Sequence, residues 1–180
     1  LHDSLLHFPD AFRNNGCYTA RNNNDEQFAV SEGILSKDRI TFWKVCCHSK
    51  ASAPHPILGI SSSQPGGKDS YYHSSFFGFR SDAFSWQGGK VVPEGEEWVG
   101  FRARQQLVFR YDPVSSPKGR FLSVQVVDTD IEATIPIPVP SHDMESESRQ
   151  FRIAMAVDDG AEVTFSTASI VDSRHWEIQQ

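Results

Sequence analysis

Cysteine is scarce in this chain of 180 residues, which contains only Cys17, Cys46 and Cys47. An odd number of cysteines, two of them adjacent, does not fit a small scaffold that is cross-linked by disulfides. The chain also lacks any Asn-x-Ser/Thr sequence, so it offers no acceptor for N-linked glycans. Both absences argue against a disulfide-rich secreted protein, and we expect an intracellular, cytoplasmic location.

Long hydrophobic runs and an excess of basic charge are also missing. No hydrophobic stretch approaches the ~20 residues of a membrane-spanning helix, and Asp3, His7 and Asp10 are out of place in a signal peptide. Lys and Arg number 17 against 23 Asp and Glu, which gives a formal net charge of −6. Because nucleic-acid binders usually present a basic face, we predict neither a membrane span nor a nucleic-acid partner.

Short alternating segments dominate the rest of the sequence. Helical spacing is confined to residues 3–12, so we predict an N-terminal extension, 1–14, with a short helix, followed by one domain, 15–180. The aromatic content is high, with 13 Phe, 4 Trp and 4 Tyr, and Trp43, Trp86 and Trp98 are predicted in or near the core. About ten or more short strands spaced by roughly 8–15 residues indicate an all-β sandwich or jelly roll. The candidate strands lie at 39–47, 57–60, 76–86, 97–101, 106–111, 120–128, 131–137, 151–157 and 161–167.

Turn-forming residues predict how some of these strands connect. Gly88 and Gly89 separate apolar segments, which indicates a tight hairpin. Residues 158–160 (DDG) predict a second hairpin, the clearest in the chain, between 151–157 and 161–167. Proline cannot donate to a strand ladder, so Pro136 and its neighbouring prolines predict a sheet edge or a loop near residue 136.

No catalytic motif is present. Five positions before the Gly67-Lys68 and Gly89-Lys90 pairs stand Ser62 and Phe84, where a phosphate-binding loop requires glycine. The run at residues 59–63 lacks the glycine spacing of a nucleophile elbow. We therefore predict no catalytic residue and no cofactor.

Two groups of residues carry side chains that can bind metals, and the first, with the thiols and imidazoles that zinc prefers, is Cys46, Cys47, His48 and His55. Cys46 and Cys47 are adjacent on a predicted strand and should point to opposite faces, so we interpret them as one buried and one half-exposed thiol. Asp128, Asp130 and Glu132 could suggest calcium if they shared a strand face. A solvated acidic edge is the commoner arrangement, because calcium also requires converging carbonyl oxygens. We predict no metal site.

Seven short motifs then follow one another in an informative order. Residues 33–35 (GIL) and 41–45 (TFWKV) resemble the "G…YWEV" strand of SPRY/B30.2 domains, and 57–60 (ILGI) resembles their "vGi" strand. Residues 79–89, with Trp86, stand where that family has its "sWg" hairpin. The later motifs are 98–101 with 107–112, 119–124, 151–156 and 161–165. The resemblance covers about residues 15–168.

The sequence departs from the family pattern at three places. Arg104 and Gln105 replace the usual Gly-Asp before one strand, and residues 150–152 (QFR) replace a Leu-Phe-Pro motif. Residues 131–143 form an unusually proline-rich insert. These departures identify a divergent member and weaken the transfer of ligand specificity more than that of the fold.

The resemblance implies a fold and a role. The implied fold is a two-sheet antiparallel β-sandwich of the concanavalin-like jelly-roll type. Such domains usually bind a protein or peptide through loops at one rim and are not themselves enzymes. They often serve as the partner-binding part of a ubiquitin ligase or a signalling scaffold. A carbohydrate-binding jelly roll is the alternative, because lectins share this architecture, and an enzyme ranks third.

Two loops supply the candidate binding residues. Residues 66–80 (GGKDSYYHSSFFGFR) contain Tyr71, Tyr72, His73 and Arg80, and Tyr72 best matches a peptide-contacting tyrosine of some SPRY proteins. The alternative is that Phe76, Phe77 and one tyrosine only cover the core. The second loop, 21–26 (RNNNDE), contains Arg21 and Asn23; Asn-rich loops more often only turn the chain.

Overall fold

Two antiparallel β-sheets form the protein. The computed structural model describes residues 6, 8, 13–14, 17–18, 27–48, 56–62, 74–92, 97–113, 120–138, 150–157 and 162–168. Strands are numbered β1–β13 in chain order. In spatial order, the seven-stranded sheet contains β1 (Arg13–Asn14), β2 (Cys17–Tyr18), β13 (Val163–Thr167), β4 (Thr41–Cys47), β9 (Gln106–Asp112), β10 (Arg120–Val126) and β11 (Glu132–Ile137). The six-stranded sheet contains β3 (Gln27–Val30), β12 (Arg152–Val157), β5 (Ile57–Ser61), β6 (Phe76–Arg80), β7 (Ser85–Gln87) and β8 (Lys90–Val92).

The main hydrophobic core lies between the two sheets. Trp43 on β4 stacks on its cross-strand partner Phe109, with ring centroids 5.4 Å apart and planes inclined by 5°. Phe109 also contacts Phe79 of the other sheet at 6.3 Å between centroids. Trp98 packs on Phe79 at 5.0 Å. Aromatic residues from both sheets therefore interdigitate, as expected for a sandwich, and the predicted all-β fold is confirmed.

Side chains on β4 alternate as the sequence predicts. Trp43, Val45 and Cys47 are buried in the core, whereas Phe42, Lys44 and Cys46 lie on the other face and are half-exposed. The interpretation of one buried and one half-exposed cysteine is therefore confirmed. The pKa of the Cys47 thiol is raised far above its usual range. Burial is the main cause, and the charge of Cys46 is the smaller one.

The Gly88-Gly89 hairpin is confirmed. Gln87 pairs with Lys90, so the loop has two residues, and φ is +61° at Gly88 and +78° at Gly89. Positive φ at both central residues is the requirement of a type I′ turn, whose twist suits a two-residue hairpin. This connection joins β7 to β8 at the edge of the six-stranded sheet.

The proline-rich edge is confirmed as well. Pro136 lies on β11, the last strand of the seven-stranded sheet, opposite Phe121 of β10. A strand at this position has a neighbour on one side only, so the missing N–H of proline costs no ladder hydrogen bond on the open side.

The predicted hairpin at residues 158–160 is wrong. β12 pairs with β3 and β5 of the six-stranded sheet, whereas β13 pairs with β2 and β4 of the other sheet. The chain crosses from one sheet to the other between these strands. Turn-forming residues predict that the chain changes direction. They do not predict whether the next strand pairs in the same sheet or joins the other one, because the same alternate side chains are buried in both cases.

Three further predictions need correction or lie outside the description. Residues 76–86 form two strands, because β6 ends at Arg80 and β7 begins at Ser85 after a turn in which Ala83 has φ +78°. Residues 97–101 contain no strand, and Phe76 and Phe77 belong to β6 rather than to a loop. Most of the predicted N-terminal helix lies outside the described residues; of its residues with described side chains, Phe8 is buried in the core.

Candidate functional site

The outer face of the six-stranded sheet, which points away from the other sheet, carries a second hydrophobic cluster. Along β6, Phe77 and Phe79 point into the main core, so Phe76, Gly78 and Arg80 point outward. The outer cluster consists of Phe28, Val30, Ile57, Phe76, Trp86, Ala154 and Ala156, and Phe84 packs against it. Arg80 borders this cluster, with its guanidinium group over the rings of Phe84 and Trp86.

The Arg80 side chain is held by a carboxylate and two aromatic rings. Its Nε donates to Oδ1 of Asp82, and its Nη2 donates to Oδ2 at 2.9 Å. The guanidinium carbon lies 4.6 Å from the ring centroid of Phe84 and 5.1 Å from that of Trp86. A bidentate carboxylate combined with stacking fixes both the position and the plane of a guanidinium group. Arg80 is therefore oriented before any ligand arrives.

Backbone contacts hold the same turn from the core side. Arg80 N–H donates to the carbonyl of Phe84 at 2.9 Å, and Trp98 Nε1 donates to the carbonyl of Arg80 at 2.8 Å. Phe101 N–H donates to the carbonyl of Ser81 at 3.0 Å. Gly100, with φ +90°, passes so close that a Cβ would overlap the Ser81 carbonyl oxygen. The turn after β6 is thus tied to residues 97–101.

One edge of the guanidinium group remains available. Side chains of Arg80 and Asp82 are 24% and 27% exposed, so the ion pair reaches the surface. Among the described residues, no acceptor bonds Nη1 of Arg80. Val91 on β8 is the cross-strand partner of Trp86 and is 41% exposed. We call Arg80, Asp82, Phe84 and Val91 the Arg80 surface, which offers hydrogen-bond donors beside an apolar edge.

The register of the sheet separates the predicted binding residues into two groups. Arg80 is paired with Ile57, and at the same end of the sheet Val157 is paired with Gln27. The segment with Arg21 and Asn23 joins the sheet at Gln27, three strands from Arg80, about 14 Å at ~4.8 Å per strand.

The tyrosine-bearing segment enters from the other end. Tyr71, Tyr72 and His73 come before β6, whose first residue is Phe76, so four residue steps, about 13 Å of strand, separate that end from Arg80. Tyr71, Tyr72, His73, Arg21 and Asn23 themselves lie outside the described residues. Arg80 is the predicted binding residue whose surroundings the structure describes.

Sequence reasoning missed the partners of Arg80. The sequence indicates no role for Asp82 or Phe84. It predicts Trp86 in or near the core but does not indicate on which face of the sheet this side chain lies. The available signal was the spacing Arg80-x-Asp82, in which a cation and a carboxylate flank the end of a strand. That signal becomes interpretable only when β6 is known to end at Arg80.

The acidic residues considered for calcium do not share a strand face. β10 ends at Val126, and Asp128 and Asp130 lie in the following turn, where Asp128 has φ +62°. Within the residues that the structure describes, no three His, Cys, Asp or Glu side chains group as metal ligands would. No helix in this part of the chain is long and apolar enough to cross a membrane.

Solved structures share this fold at low sequence identity. The SPRY domain of human HERC1 aligns with a TM-score of 0.65 and 9% identity, covering 93% of this chain and 98% of that one. A second human SPRY domain aligns with a TM-score of 0.56 and 10% identity, covering 90% of this chain and 98% of that domain. Stonustoxin aligns with a TM-score of 0.54 and 9% identity, covering 89% of this chain and 27% of the stonustoxin chain. No protein-family model and no curated protein matches the sequence. The chain has the fold of SPRY domains, as its motif order predicts.

Proposed function

We propose that this chain is a protein- or peptide-recognition module and that its partner binds at the Arg80 surface. The observation that carries the proposal is the fixed guanidinium group, held by Asp82, Phe84 and Trp86 with Nη1 directed away from its carboxylate partner. Arginine and aromatic side chains dominate binding energies at protein interfaces. A side chain that is already ordered loses little entropy on binding.

The neighbouring segments extend the proposed surface. Arg21 and Asn23 precede the sheet end that carries Arg80, so a peptide crossing this end could contact both. Tyr71, Tyr72 and His73 precede the opposite end, and we assign them to a second, separate contact region. A peptide acceptor such as a carboxylate or a main-chain carbonyl would suit Nη1 of Arg80.

The proposed biological role follows from the fold. SPRY domains supply the structural likeness, and we propose binding rather than catalysis, in an intracellular setting, as part of a ubiquitin ligase or a signalling scaffold. No cofactor, nucleic acid or membrane is required for this role. The acidic net charge of −6 is consistent with a protein partner.

Selection from a random peptide library displayed on phage tests the proposal. Peptides selected on the purified protein should lose at least about 30-fold in affinity for Arg80→Ala, the effect of a residue worth about 2 kcal/mol. Arg80→Lys should lose nearly as much, because an ammonium cannot hold the bidentate, stacked geometry. Fluorescence anisotropy measures both affinities.

The matched control is Arg102→Ala, which removes the same charge from an exposed position on the segment that follows Trp98. Its affinity should equal that of the unchanged protein. If Arg80→Ala keeps its melting temperature and binds the peptides as tightly as the unchanged protein, the binding site lies elsewhere. If only Tyr72→Ala loses peptide affinity, the binding site lies at the opposite end of the sheet. Glycan-array binding without any peptide ligand would favour the carbohydrate alternative.

A further inference from the structure

A second group of reactive side chains lies on the seven-stranded sheet. Cys46 and His48 are two residues apart and therefore share the outer face of that sheet. Thr164 on β13 is the cross-strand partner of Cys46. His48 lies between them: its Nε2 is 2.6 Å from Oγ1 of Thr164, and its Nδ1 is 3.9 Å from Sγ of Cys46.

The backbone fixes this line of three side chains. His48 follows β4 directly, and its N–H donates to the carbonyl of Glu162 at 2.8 Å. The main-chain hydrogen bond fixes the backbone of His48, and the contact with the Thr164 hydroxyl orients its imidazole. A nucleophile, a base beside it and a third group that orients the base form the arrangement that activates thiols and hydroxyls in proteins.

We propose that Cys46 is a thiol-exchange site that forms a mixed disulfide with small disulfides, with His48 as its base and Thr164 as the positioning residue. The proposal is independent of partner binding at Arg80, which lies on the other sheet. Cys46 and His48 both reach the surface, so a small disulfide can approach the sulfur.

The proposed step balances without another reagent. The Cys46 thiol transfers its proton to Nδ1 of His48, and the thiolate attacks one sulfur of the disulfide. A new S–S bond forms at Cys46 while the S–S bond of the reagent breaks. The leaving thiolate takes the proton from His48 and departs as a thiol. The protein thiol is oxidised, and half of the small disulfide is reduced.

Cys47 supplies an internal control. It is the next residue, but it points into the core and is 4% exposed. Its thiol has no access to a reagent while the protein is folded, and burial favours its neutral form. Modification of Cys46 without Cys47 therefore distinguishes reaction of the folded protein from reaction of an unfolded fraction.

Oxidised glutathione is the probe for the experiment. The full chain is incubated with it at pH 7, quenched with acid and mapped by peptide mass spectrometry over time. We expect glutathione on Cys46 and none on Cys47. His48→Gln should slow the reaction by about 5- to 10-fold, because an ordinary thiol is only a few per cent ionised at pH 7.

Substitution of Thr164 tests the positioning role. Thr164→Val has nearly the same shape but no hydroxyl and should slow modification of Cys46, whereas Thr164→Ser keeps the hydroxyl and should restore the rate. Protection of Cys47 verifies that each variant is folded. Equal rates at Cys46 in the unchanged protein and folded His48→Gln would overturn the proposal, as would faster modification of Cys47 than of Cys46.

Discussion

Trp98 donates its indole N–H to the main-chain oxygen of Arg80, with 2.8 Å between nitrogen and oxygen. The Trp98 ring lies in the main core against Phe79, while the Arg80 side chain lies on the outer face of the sheet. One residue of β6 is therefore tied to the core through its backbone and presented at the surface through its side chain. Core packing and the geometry of the proposed binding surface are coupled at this bond.

Replacing Trp98 by phenylalanine should weaken the fold. The Arg80 carbonyl loses its donor in a part-buried hydrogen bond, and an acceptor left without a partner costs about 1–3 kcal/mol. Urea denaturation should record a free energy of unfolding lower by about that amount. Val99→Ala is the control, because Val99 is 53% exposed and its truncation should change stability by less than about 0.5 kcal/mol. Equal stability of the two variants would contradict the role of the indole N–H.

Replacing Asp82 by asparagine should affect binding more than folding. The ion pair with Arg80 is partly exposed, so its loss should cost below about 1 kcal/mol of stability. Freed from its carboxylate, Arg80 must be ordered by the ligand, at about 0.5–1.5 kcal/mol, or roughly 2- to 10-fold in affinity. Anisotropy with a selected peptide measures this loss. Asp38→Asn, an exposed position with the same charge change, should bind as the unchanged protein does.

Alternation along single strands was predictable from the sequence. It assigned Trp43 to the core and separated Cys46 from Cys47, because successive side chains on any strand point to opposite faces. The Gly88-Gly89 turn was predictable for a similar reason, since two residues with positive φ strongly favour glycine. These are local constraints that hold whatever sheet the strand joins.

Relations between strands were harder to predict. Residues 158–160 predict a hairpin, but the strands on either side of them, β12 and β13, belong to different sheets. The candidate loop at 66–80 placed Tyr72 and Arg80 together, although the strand β6 intervenes before Arg80. Pairing partners are set by packing between distant segments, and the alternation of a single strand does not encode them. The Cys46–His48–Thr164 line depends on such a pairing.

Alanine at Gly59 should destabilise the six-stranded sheet strongly. Gly59 faces Gly78 across β5 and β6, and a Cβ at Gly59 would overlap the backbone of Phe77 and Gly78. Rigid backbone cannot yield as a side-chain tip can, so we expect a loss of at least about 2–3 kcal/mol in chemical denaturation.

The control for Gly59 is a glycine with free space. A Cβ at Gly88 would lie 3.5 Å from the Ser74 carbonyl oxygen, an ordinary contact, and φ there is +61°. Asparagine tolerates that conformation, so Gly88→Asn should cost about 1 kcal/mol or less. If Gly59→Ala were as stable as Gly88→Asn, close approach of the two strands would not explain the glycine.

Glycine at position 104 should stabilise the protein relative to alanine there. Arg104 has φ +69°, is exposed, and stands where the family pattern has glycine. Left-handed backbone costs an ordinary residue about 1–2 kcal/mol, partly offset by the greater freedom of unfolded glycine. The free energy of unfolding of Arg104→Gly should therefore be about 0.5–1 kcal/mol higher than that of Arg104→Ala, as measured by thermal or urea unfolding. If Arg104→Ala were more stable than Arg104→Gly, the backbone at residue 104 would not be left-handed in solution.

Alkaline pH should reveal the buried thiol of Cys47. Burial raises its pKa above the ordinary value of 9.0, so the folded state keeps the proton while the unfolded state loses it. The stabilisation is complete below pH 9 and is lost as pH rises from there towards the folded pKa. The free energy of unfolding should fall by about 1.4 kcal/mol between pH 7 and 10 from this group.

Cys47→Ala isolates that contribution. Its cavity lowers stability by a constant amount at every pH, whereas the thiol changes the slope. Burial also raises the pKa of Tyr111, and this second group acts equally in both proteins, so it cancels in the difference. Urea denaturation at pH 7, 9 and 10 should show the unchanged protein losing its advantage over Cys47→Ala as the pH rises. A difference that stays constant would mean that Cys47 ionises equally well in the folded and unfolded chains.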